Sequence, residues 1–158
     1  MDEFEMKMEA LMRLCEDYGT PESMELWEEC AEYLKIRRRI LAPEREVRKI
    51  LLELGAPDHL AGHPYAVLAI VQVVESRKSP LNLSLELYPK LAEYFDTSAA
   101  RVERAIRHLV EVTWMRGDAA VRERYFGNTV NAEKGKPTNA EFIARIANEV
   151  RQRLEEVA

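Results

Sequence analysis

Glycine and proline are scarce in this chain, at 6 and 7 of 158 residues, and neither gathers into a Gly/Ser or Pro tract. Low-complexity and fibrous classes are thereby excluded, and an ordered chain is expected. No run approaches the roughly 20 apolar residues needed to cross a bilayer. The opening MDEFEMKMEA is acidic where a secretory signal is basic and then apolar. A cytoplasmic protein without membrane contact is the expectation. Cysteine is rarer still: Cys15 and Cys30 lack C-x-x-C spacing and occur among apolar helical positions, so both are expected as buried reduced thiols. Alternating apolar and polar residues, the mark of half-buried strands, are missing throughout, and no internal repeat is visible. The chain reads as all-α.

What is present is charge. Apolar residues make up 47% and charged residues 32%, and 158 residues suffice for one sizeable core. The net charge of −5 argues at first sight against nucleic acid. Its distribution argues otherwise, because residues 1–45 hold twelve acidic and seven basic residues and so account for the whole excess. Within residues 97–136, eight basic side chains outnumber five acidic ones. Exposed charges more than about 8 Å apart are largely screened at physiological salt, so a local basic surface can bind phosphate on a neutral domain.

The first segment, residues 1–42, reads as a helical hairpin. Phe4, Met8, Leu11, Cys15 and Tyr18 recur in alternating steps of four and three, the seam of packed helices. Gly19 ends that helix, Thr20 caps the next, Pro21 suits its first position, and Met24, Trp27, Ala31 and Leu34 form a second stripe. The helix is expected to fade near Leu41, with a boundary at Ala42-Pro43 and a new helix from Pro43 to Leu54. Residues 43–158 would then form the second domain. Residues 63–75 are apolar on nearly every side, which suits a buried helix or, less well at that length, a buried strand. A loop with Pro80 follows, then a short helix ending before Pro89, a second short element from Pro89 to Phe95, and a long helix that Gly117 stops. Asp118 to Phe126 and residues 139–157 supply two more helices around a polar loop.

The long helix carries the chemistry. Wrapped at 3.6 residues per turn, residues 96–113 put Val102, Ala105, Ile106, Leu109 and Thr113 on one side. Ala100, Glu103, Arg104, Arg107, His108 and Glu111 fall on the other, with Arg101 at its edge. Asp96, Thr97 and Ser98 offer capping side chains just before it, leaving a helix start whose free N–H groups suit a phosphate. A short helix, a tight turn and a longer helix make a helix-turn-helix, whose second helix enters the major groove of DNA. An arginine fork there can donate two hydrogen bonds to guanine O6 and N7, and a carboxylate can accept from cytosine N4. The same four charges also suit an ordinary solvated face held by ion pairs of about 0.2–0.5 kcal/mol each. Periodicity does not choose between the two.

Five runs occur in order over residues 46–153: LELGAPDHLAG (52–62), LYPKLAEYF (87–95), ARVERAIRHLVEVTWMRGD (100–118), YFGNTV (125–130) and KGKPTNAEFIA (134–144). They resemble the C-terminal effector domain of the stage-zero sporulation protein A family, the response regulators that start endospore formation, and the third run resembles the family's reading helix almost residue for residue. The resemblance implies an all-helical domain that reads a TGTCGAA-like site on double-stranded DNA, in tandem or paired copies, without a cofactor. Carried over, it implies Glu103, Arg104 and Arg107 as base readers and Arg101 and His108 beside phosphate. It further implies a loop in which Lys134, Lys136 and Thr138 hold the DNA backbone. The loop also reads as a helix lead-in with Thr138 or Asn139 as cap, and the two roles are compatible. Residues 116–126 correspond to the surface that meets RNA polymerase sigma factor, although Val121-Arg122-Glu123-Arg124 is more charged than the family's usual stretch there.

Two departures stand out. Ala100 replaces a common serine, which removes one polar contact to DNA. The family's phosphoacceptor receiver is not expected either, since about 45 residues without alternating strands cannot build that α/β fold. The hairpin is expected to serve instead as a constitutive element pairing two copies, or else to pack on its own DNA-binding domain. An antagonist that pairs with a full-length relative or binds sigma factor is the competing role, and intact base readers argue against it.

An enzyme is not expected. His59 and His63 stand four apart like paired metal ligands, but Gly62 and Pro64 interrupt the helix and no metal site is inferred. Gly135-Lys136 is like the end of a phosphate-binding loop, yet Val130 occupies the position that would need glycine. Arg37-Arg38-Arg39 suits DNA phosphate or, equally, the negative end of a helix.

Overall fold

The computed structural model describes residues 3–76, 82–127 and 135–157, and every regular element among them is helical. The all-α expectation holds. The chain groups into two compact units, Met1–Ala42 and Pro43–Ala158.

In the first unit α1 (Glu3–Tyr18) ends before Gly19, and α2 (Pro21–Glu53) begins at Pro21 with Thr20 accepting the backbone N–H of Met24 at 3.0 Å. Leu34 is buried, whereas Met8, Cys30 and Ala31 are half-buried. Two expectations are corrected here. Leu11 and Met24, assigned to the seams, are exposed, because a pair of helical segments has too little apolar surface to cover both stripes. Cys30 is a free thiol but only half-buried, and the Cys15 side chain lies outside what is described.

The predicted break at Pro43 does not occur, since α2 carries Pro43 inside it. An internal proline forfeits one backbone hydrogen bond and crowds the carbonyl four residues back, at a cost of about 3 kcal/mol. The neighbouring sequence offsets this. Helix formers flank Pro43, and Arg48–Glu44 and Lys49–Glu46, both at 2.8 Å, brace the turns that follow.

The second unit is built around α3 (Gly62–Glu75), which packs against α5 (Ala99–Arg116), α7 (Asn139–Val157) and α4 (Tyr88–Tyr94). Neighbours on several sides explain why residues 63–75 are apolar nearly all round, and length decides for helix over strand. Val47, Ile50 and Leu51 from α2 and Leu54 just after it join Ala66, Ile70, Ile106, Leu109, Phe142 and Ile146 in one core with no accessible surface on any of them. Arg151 of α7 closes the end of α3, donating to the carbonyls of Val73, Val74 and Ser76, groups a helix end leaves unsatisfied. The short helix expected to stop before Pro89 instead is a π-helical turn, Leu83–Leu87, that runs directly into α4. Pro89 then falls in the first turn of α4, where its missing N–H costs nothing.

Candidate nucleic-acid interface

The turn between α4 and α5 is set by the backbone. Asp96 takes φ +49°, a left-handed conformation that Asp tolerates better than most residues, while Thr97 N–H donates to Ala92 at 2.9 Å and Asp96 N–H to Glu93 at 3.3 Å. This is the Schellman closure of a helix. Of the three expected caps, Ser98 performs the role, its Oγ accepting from Arg101 N at 3.3 Å, and Asp96 makes the turn instead.

α5 leaves that turn with Val102, Ile106, Leu109, Val110, Val112 and Thr113 buried. The Thr113 hydroxyl is satisfied inside the helix, donating to the Leu109 carbonyl at 2.7 Å. Arg101, Arg104, Arg107 and His108 are exposed together on the outer side, with Glu103 and Glu111 half-buried at its flank. The helix is seated closely. A Cβ placed on Gly62 would stand 2.1 Å from the Ala105 carbonyl oxygen, so only glycine lets the start of α3 approach α5 there. A groove of about 460 Å³ runs along this contact, lined by Ala61, Gly62, Arg101, Arg104, His108 and Glu111. Arg101 and Arg104 make no side-chain hydrogen bond or ion pair among the described residues.

On the other flank lies a cleft of about 640 Å³ that includes Tyr88, Glu103, Arg107, Glu111, Lys136 and Thr138. Its charges are matched. Arg107 pairs with Glu103 one turn back along α5, and Lys136 Nζ lies 2.5 Å from Glu111 Oε1. The hydrogen bond from Lys136 holds the Glu111 carboxyl below the usual carboxylate range. Asn139 ties the cleft's far wall together, its Nδ2 donating to Tyr88 Oη and to the Glu103 carbonyl, both at 3.1 Å. Burial raises the Tyr88 phenol above its ordinary pKa, keeping it neutral and able to donate.

The segment before α7 is anchored at two points. Trp114 Nε1 donates to the Gly135 carbonyl at 2.6 Å. Thr138 and Glu141 form a reciprocal capping box, with Glu141 N–H donating to Thr138 Oγ1 at 3.2 Å and Thr138 N–H to Glu141 Oε2 at 2.7 Å. Thr138 thus fills the capping role anticipated for it. Lys134, grouped with Lys136 and Thr138 by resemblance, lies outside the described residues.

Residues 116–126 do not present one surface. Arg116 and Glu123 are exposed, but Tyr125 and Phe126 are buried in the core. Arg122 folds over the Trp114 ring, 5.3 Å from its centroid, and donates to the Trp114 carbonyl. Arg124 pairs with Glu53 at 2.6 Å, and Tyr125 donates to the same carboxylate. The expected patch therefore shrinks to the part before Tyr125, because aromatic burial outweighs exposure at its end.

The structure brings Arg101, Glu103, Arg104, Arg107, His108, Lys136 and Thr138 to the two flanks of one helix. Sequence reasoning did not foresee Glu111 as the partner of Lys136, Asn139 as a brace, or Gly62 as the seat of α5. Only Gly62 left a local signal, a glycine opening an apolar helix. His59 is exposed in the turn before α3 whereas His63 is buried within it, so the pair does not converge on a ligand.

Residues 47–150 match the family model Spo0A_C, described as sporulation initiation factor Spo0A C terminal.

Proposed function

The chain belongs to the Spo0A C-terminal family of DNA-binding regulatory domains, and from that premise we propose that it controls transcription by reading a TGTCGAA-like duplex through α5. Glu103, Arg104 and Arg107 read base edges in the major groove. Arg101, His108, Lys136 and Thr138, with Lys134, hold the sugar-phosphate backbone. The single observation that carries this reading is the exposed arginine face of α5, which leaves a tight Schellman turn and is seated by the Gly62 contact. In free protein Arg107 rests on Glu103, which keeps both groups aligned along the edge that faces bases.

The test is binding of the purified chain to duplexes with one or two TGTCGAA-like boxes and to a scrambled duplex at about 150 mM salt, where non-specific attraction is weak. A preference of a hundredfold or more, larger for paired boxes, supports the reading, and equal weak binding refutes it. Arg104→Ala or Arg107→Ala should each cost about 1–3 kcal/mol at the preferred site and relax sequence preference.

Pairing of two chains through residues 1–42 belongs to the same proposal, supported by Met6, Leu11, Met24, Tyr33, Ile36 and Ile40 standing exposed in that unit. Sedimentation that finds only monomer at tens of micromolar would remove it. Those side chains also favour the second reading, an antagonist that engages a full-length relative. Contact with sigma factor is assigned to the exposed side chains between Arg116 and Arg124, chiefly Arg116, Glu123 and Arg124.

A further inference from the structure

We infer that Glu111 is a built-in counter-anion that holds Lys136 in the free protein and must be exchanged for a DNA phosphate when the backbone is gripped, so that it lowers affinity for every duplex alike. The inference rests on the reading of Lys136 as a backbone contact.

Three observations carry it. Glu111 projects from the same helix as the reading residues, yet its partner comes from the segment before α7, 25 residues away in sequence, so the pair is a tertiary contact and not an incidental helix neighbour. Glu111 also lines both hollows flanking α5, the groove with Arg101, Arg104 and His108 and the cleft with Arg107 and Lys136. It thus stands as a carboxylate among the cations that an incoming phosphate would meet. Finally, Lys136 and Glu111 remain 46% and 38% exposed, so the pair is open to exchange without unfolding. A carboxylate and a phosphodiester offer an ammonium the same ligand, an anionic oxygen, and the lysine satisfies one at a time in a given direction.

The two acids of α5 then differ in kind. Glu103 pairs within the helix and keeps Arg107 on the reading face. Glu111 reaches off the helix and restrains a group whose partner, phosphate, is the same in every sequence. Its removal is expected to raise affinity without changing preference.

Removing any negative charge near DNA also raises affinity generally, so the experiment isolates the pair. Binding is measured for the full chain and for Glu111→Gln, Lys136→Met, the double variant and Glu123→Gln, on specific and scrambled duplexes, with thermal melts confirming folding. Glu111→Gln should tighten binding about two- to fivefold on both duplexes, the range of an exposed ion pair, and clearly more than Glu123→Gln does. In the Lys136→Met background Glu111→Gln should gain no more than Glu123→Gln gives alone. If Lys136→Met weakens binding but the Glu111→Gln gain persists in its background, the exchange is wrong and the backbone reading survives. If Lys136→Met leaves binding and its salt dependence untouched, the backbone reading falls and the exchange falls with it.

Discussion

The two units of this chain carry similar apolar stripes and meet different fates. In the second unit Ile106 and Ile146 have no accessible surface, whereas in the first Tyr33 and Ile40 keep 60% and 65% of theirs. Spacing of four and three specifies which side of a helix is apolar. It does not specify what covers that side. Among the described residues of 43–158 the end of α2, the π-helical turn and the helices from α3 onward share one core, and α3 finds neighbours on several sides. The first unit holds α1 and part of α2 only, and among its described residues Leu34 is buried while Met6, Leu11, Met24, Tyr33, Ile36 and Ile40 stay in contact with water.

Paired truncations break or sharpen that contrast most directly. Ile106→Ala should cost about 2–5 kcal/mol, the usual loss for emptying a packed core position, while Ile40→Ala should stay within about 0.5 kcal/mol in dilute protein. Denaturant unfolding followed by circular dichroism gives both values. If the Ile40→Ala loss instead grows with protein concentration, the exposed stripe is covered by a second chain and the contrast belongs to the monomer alone.

A smaller loss is expected at Gly62. The Cβ of Gly62→Ala would drive into the Ala105 carbonyl, and overpacking of this kind costs about 1–3 kcal/mol. Because the displaced element is α5, DNA affinity should fall further than stability alone explains. Equal falls in both would show that α5 keeps its seat. Asp96→Gly should act in the opposite direction, adding up to about 1 kcal/mol by relieving a left-handed conformation. A melting temperature that drops on this change would mean that the aspartate side chain supports the turn.

The smallest effect concerns pH. His63 is buried at the start of α3, and burial, with Arg48 adding and Asp58 opposing, lowers its pKa below 6.5. The folded chain therefore resists a proton that the unfolded chain accepts near pH 6.5. Stability from this group is complete above that value, declines as pH falls below it, and levels off beneath the folded pKa. His63→Gln should flatten this part of the profile, and an unchanged slope between pH 5 and 7 would assign it elsewhere.

Much of the second unit was legible because its signals are local. The inward positions of α5, the Ser98 cap and the Thr138 cap depend on residues within a turn or two of one another. The resemblance named the candidate DNA contacts; the exposed side of α5 carries Arg101, Arg104, Arg107 and His108, with Glu103 half-buried at its flank. The helix break at Pro43 was misread because a proline signal is strong in isolation, while its neighbours' helix propensity and ion pairs act together and are harder to weigh. The π-helical turn before α4 was missed for a related reason, since Pro89 marks a helix start as readily as a stop. Glu111 and Lys136 meet across 25 residues, and no periodicity within one helix encodes that meeting.

The bond between Trp114 and Gly135 has one more consequence. The chain contains two tryptophans, Trp27 and Trp114, and the indole N–H of Trp114 is fixed to the strap that presents Lys136. Indole emission shifts with the polarity and hydrogen bonding of its surroundings. In a Trp27→Phe protein the remaining tryptophan fluorescence would come from the junction of α5 with the segment before α7, so the molecule carries its own optical gauge of whether added duplex disturbs that bond.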